Sequence, residues 1–138
     1  MKTSKILLLI ATVVSAAIQL YYGFILLADP HNIIGFLKIS PDSYNDALSV
    51  LTFMYGKLFI TLFLVSTAVL FFIWKDYFAG IILTLIFGLN MVVSGLISFV
   101  NSSNLVYLIA DSLRGIILVV LLYFYYKFNY KLKTARNH

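Results

Sequence analysis

The chain has 138 residues, 62% of them apolar and 11% charged, with a formal net charge of +5 and a mean hydropathy of +1.01. Soluble domains carry about 45–50% apolar and about 25% charged residues, so composition excludes a disordered chain, a soluble enzyme and a nucleic-acid-binding domain. It predicts a single integral membrane domain over residues 1–138.

A bilayer core about 30 Å thick needs about 20 apolar residues per helix. Four runs meet that length: residues 6–28, 50–74, 77–100 and 104–126. Each is continuously apolar rather than alternating, which disfavours barrel strands and predicts an all-α, four-helix transmembrane bundle. The first run follows Lys2 and Lys5, and Ser15-Ala16-Ala17 resembles a cleavage site. Its apolar stretch outruns the usual signal-peptide core of about 7–15 residues, so it reads as a retained first helix.

Residues 29–49 form the one long loop. Asp29-Pro30 reads as a helix cap followed by proline at the first helical position, and Ile33, Phe36 and Leu37 then share a face. A short amphipathic helix in the outer loop is therefore expected. Ser40-Pro41 repeats the signal, and Tyr44, Leu48, Leu51 and Tyr55 follow at helical spacing, so the second long helix is expected to start near Asp42. The short breaks at Lys75-Asp76 and Asn101-Ser102-Ser103 make the last three helices antiparallel neighbours.

Lys2, Lys5, Lys75, Lys127, Lys131, Lys133 and Arg136 flank one side of the four runs, and Lys38 flanks the other beside Asp29, Asp42 and Asp46. The positive-inside rule then puts both termini in the cytoplasm. The aromatic residues at that end, Trp74, Tyr77 and Phe78, then Tyr123 to Tyr126, Phe128 and Tyr130, read as an interfacial belt.

Cysteine and glutamate are absent, and the two histidines are His31 and His138. Disulfide exchange and iron–sulfur clusters are excluded, and haem or zinc held by paired membrane histidines is not expected. Ionisable and amide groups inside the spans are the sharpest signal, because each is expensive in hydrocarbon. Gln19, Lys57, Asn90, Asp111 and Arg114 lie about 10–15 Å in from the outer helix ends, counting 1.5 Å per residue. Three stripes of polar or small residues accompany them: Ser15–Gln19–Gly23, Lys57–Thr61 and Asn90–Ser94–Ser98. These stripes are expected to face inward, since such residues pack helices together in lipid.

Lys57 and Arg114 against Asp111 leave one positive charge over. That surplus points to a ligand-binding pocket in the outer half, its mouth lined by Tyr22, Tyr55 and Tyr107, for a lipid-like or quinone-like molecule. Membrane lipids, an acidic lipid or a quinone are the expected ligands, and a second copy or a larger membrane complex the expected assembly. The bland alternative is a structural clamp between helices, with Lys57 snorkelling outward. Two further alternatives are a homo-oligomeric channel or transporter, and a membrane enzyme with Asp111 as base; a second carboxylate, thiol or metal set to support the enzyme is lacking.

In chain order the residues Gly23, Asp29-Pro30, Gly35, Tyr55-Gly56-Lys57-Leu58 and Asp111-Ser112-Leu113-Arg114-Gly115 resemble small bacterial four-helix membrane proteins of the DoxX-like kind. The resemblance implies an integral inner-membrane protein, in a group sometimes associated with quinone or thiosulfate oxidation.

Overall fold

A computed structural model of the protein describes residues 2–37, 40–102, 105 and 108–130. The described residues are helical, with turns between helices and no strand. In order they form α1 (Lys2–Ala28), α2 (Asn32–Leu37), a 3-10 turn (Pro41–Ser43), α3 (Asp46–Trp74) and α4 (Phe78–Ser102). Helical backbone then runs over Leu108–Leu113, α5 (Arg114–Tyr125) and Tyr126–Tyr130, the first and last of these being wide π-type turns. Both prolines fall in the loop between α1 and α3, so nothing removes a backbone donor inside the long helices. Three stretches, Thr3–Ala28, Asp46–Trp74 and Phe78–Val100, are long and apolar enough to cross a membrane.

The outer loop forms its expected short helix. The Asp29 carboxylate accepts the backbone N–H of His31 at 3.0 Å, and the His31 ring stacks on Tyr44 with centroids 4.1 Å apart. The start of α3 differs from expectation. Ser40-Pro41 leads only into the 3-10 turn, without a side-chain cap bond. Asn45 caps α3 instead, its side-chain oxygen accepting the Leu48 N–H at 2.9 Å. Asparagine is as good a cap as serine, and Asp46 adds an acid to the first turn, where the helix dipole favours it.

The chain divides into two compact units, residues 14–67 and residues 1–13 with 68–138. In the first, α1 and α3 run antiparallel in a tight register. A β-carbon on Gly23 would come within 2.8 Å of the Ile60 side chain, and one on Gly56 within 2.7 Å of Leu27. One step further along, the buried Ser66 hydroxyl donates to the Gln19 side-chain oxygen at 2.8 Å.

In the second unit α4 and α5 meet backbone to backbone. A β-carbon on Gly115 would sit 2.5 Å from the Gly88 carbonyl oxygen, so only glycine fits. The α3–α4 turn belongs to the same unit. Asp76 is left-handed at φ 58°, the Tyr77 N–H bonds the Phe72 carbonyl at 2.9 Å and the Asp76 N–H bonds Ile73 at 3.1 Å. That is a Schellman helix end with aspartate where glycine is usual.

Candidate functional site

The motif from Asp111 to Gly115 has two sides. Ser112 and Gly115, three residues apart, face α4. Ser112 is buried, and its hydroxyl donates to the Val92 carbonyl at 3.0 Å. Asp111 and Arg114 lie to the side of that contact, and the Arg114 guanidinium donates to the Asp111 carboxylate at 3.1 Å. Their side chains are 36% and 20% exposed, open enough to be reached and covered enough to be partly dry.

Asp111 sits within the wide-turn segment Leu108–Leu113. Such turns are rare and concentrate at functional sites. The second wide turn, Tyr126–Tyr130, holds a single charge, Lys127, and stacked rings instead. What distinguishes the first is therefore the coincidence of a wide turn, a close-packed glycine and an acid–base pair. The pair offers a carboxylate acceptor and a planar donor fork suited to a phosphate, a carboxylate or a quinone oxygen.

The other predicted residues are placed differently. Gln19 is buried and committed to Ser66. The stripe on α1 is inward as expected, since Ser15, Gln19 and Gly23 are all buried, although the Ser15 hydroxyl has no hydrogen-bond partner among the described residues. The stripes on α3 and α4 are corrected. Lys57 and Thr61 are exposed, and the packed face of α3 carries Thr52, Gly56 and Ser66. Lys57 lies nine residues from Ser66, which at about 100° per residue puts the two on opposite faces. The Lys57 ammonium lies 4.4 Å from the Phe53 ring centre, one turn toward the start of α3. Asn90 and Ser94 are likewise exposed, and Thr84, Gly88, Met91 and Gly95 are buried. Glycine and small hydroxyls let backbones approach more closely than lysine or asparagine can.

Of the five polar groups, Gln19 and Lys57 belong to one unit, and Asn90, Asp111 and Arg114 to the other. Tyr22 and Tyr55 are both exposed at the surface. Tyr107, Lys38 and the basic tail from residue 131 lie outside the described residues.

A second polar cluster was missed in the sequence. Lys5 Nζ lies 2.7 Å from the Asp76 carboxylate and donates to the Trp74 carbonyl at 2.8 Å. The hydroxyl of Tyr125, a fully buried residue, donates to the same Asp76 oxygen at 2.8 Å. Nearby in the chain, Asn129 donates to Ser4. The signal available was Asp76 itself, the one acid among the basic residues on its side of the spans.

No protein-family model, characterised protein or solved structure matches this chain.

Proposed function

We propose that the chain is a four-span integral membrane protein that binds a lipid-like or quinone-like molecule through the Asp111–Arg114 pair, without catalysing a reaction. The observation that carries this reading is the half-open ion pair on a wide helical turn, in an otherwise apolar helix. An ion pair at that depth is costly, and a polar head group inserted beside it offsets part of that cost with further charge-assisted hydrogen bonds. Lys57 stands apart as a snorkelling cation whose charge reaches back toward the outer end of α3.

Three apolar helices of spanning length support the membrane assignment. The helical stretch from Leu108 to Tyr130 supplies the fourth span. The lysine and arginine excess at one end favours cytoplasmic termini, and the resemblance to DoxX-like proteins implies a bacterial inner membrane. The DoxX-like likeness supports the same architecture.

Native mass spectrometry in lipid nanodiscs tests the reading, with an anionic phospholipid and a quinone as probes. The wild type is expected to retain one of them. The variant Asp111→Leu with Arg114→Met, which removes both charges together, is expected to lose it. Equal retention by both proteins overturns the assignment of the site. Terminal reporter fusions test the orientation; a reporter active outside the cytoplasm contradicts it.

A further inference from the structure

The face of α4 that packs within its unit holds Thr84, Gly88, Met91 and Gly95, all buried. Two residues on from Gly88, a rotation of about 200°, Asn90 stands on the opposite face. It is exposed, as are Ile86, Val93, Ile97 and Val100. These five residues are spaced 4, 3, 4 and 3 apart, a heptad seam with Asn90 as its second member. Among the described residues, none makes a hydrogen bond to the Asn90 side chain.

We propose that this seam is where two copies of the chain associate, side by side in the membrane, Asn90 against Asn90. The inference rests on the membrane reading above. Asn90 lies ten residues from Val100 and twelve from Phe78, about 15–18 Å from either end of the span. An asparagine side chain is too short to reach water from there, and hydrocarbon offers its amide no partner. A carboxamide carries both donor and acceptor, so a second one satisfies it reciprocally across a two-fold axis. Copies inserted by the same charge rule share one orientation, so α4 meets α4 in parallel. In a parallel pair, equivalent core positions face each other, and a single asparagine there fixes the register. The β-branched Ile86, Val93 and Ile97 around it supply the stiff side chains that such seams use.

The chain contains no cysteine, so single substitutions give clean disulfide probes in native membranes. Ile86→Cys and Val93→Cys are expected to form disulfide-linked dimers on oxidation. Leu85→Cys, 40% exposed but about 100° around the helix from Ile86, is expected to stay monomeric. Adding Asn90→Leu to Val93→Cys should weaken dimerisation about 3- to 30-fold, the worth of one or two interhelical hydrogen bonds, while Asn90→Gln should largely restore it. Asn90 is exposed, so these changes leave the packed face of α4 intact. Equal cross-linking at Leu85→Cys, indifference to Asn90→Leu, or cross-linking to a different protein each overturns the proposal. So does an absence of dimers while the chain resists alkaline extraction from membranes. Release of the chain by alkali contradicts the membrane reading instead.

Discussion

Two of the acid–base pairs among the described residues, Lys5–Asp76 and Asp111–Arg114, have similar chemistry and opposite construction. Lys5–Asp76 joins residues 71 apart in the chain, and the cluster draws in Tyr125 and the Trp74 carbonyl. Asp111–Arg114 spans three residues of one helical stretch. In the first, the carboxylate accepts from two side chains of distant segments, and lysine also neutralises the carbonyl end of α3. Every group there serves to hold a helix end, a turn and two other helices in place. The bond of the second pair closes within one helical stretch, so by itself it ties no distant segments together.

The contrast is broken most severely at Asp76. Asp76→Ala should destabilise the protein by about 3 kcal/mol or more. That sum combines hydrogen bonds to a charged group, worth about 1.5–3 kcal/mol, with about 1–2 kcal/mol of left-handed strain on alanine. Asp76→Gly keeps the backbone relaxed and should lose only the first part. Chemical denaturation in detergent compares the two, and equal losses would remove the strain argument. At the second pair, Arg114→Leu alone should cost about 1–3 kcal/mol by stranding a half-buried carboxylate, whereas Asp111→Leu with Arg114→Met should cost less than the single change. A double variant weaker than the single one would make the pair a structural clamp.

How much of this the sequence shows depends on the residue. The long helices are legible, because apolar runs without proline permit little else. The motif at Asp111–Gly115 is legible as a pair plus a packing glycine. Helix faces are not, since α3 and α4 each carry two stripes of polar or small residues. In a chain apolar all round, hydrophobic periodicity gives no vote between such stripes. Gly56 and Ser66 prevailed over Lys57 and Thr61 because they are small, a criterion readable in retrospect. The Lys5–Asp76–Tyr125 cluster was hidden for a different reason. Its members lie 49 and 71 residues apart, and only the antiparallel return of the chain brings them together.

Smaller effects sharpen the same comparison. Tyr125→Phe removes one hydrogen bond to a charged acceptor and should cost about 1–2 kcal/mol, measured by thermal unfolding. A loss near zero would show that the Tyr125 hydroxyl contributes little to holding Asp76. Ser15→Ala should be neutral or slightly stabilising, within about 1 kcal/mol, because its buried hydroxyl has no partner to lose among the described residues. A clear loss there would reveal a bond that the packing of α1 conceals.

The most direct measurement is the ligand-induced shift in thermal stability of three purified proteins: wild type, Asp76→Asn, and Asp111→Leu with Arg114→Met. Each is titrated with an anionic phospholipid and with a quinone. Binding to the folded state alone must raise the midpoint. The account predicts that Asp76→Asn starts lower yet shows the wild-type shift, while the double variant starts near wild type and shows none. A shift that survives in the double variant, or disappears with Asp76→Asn, would contradict the division between a pair that holds the fold and a pair that holds a ligand.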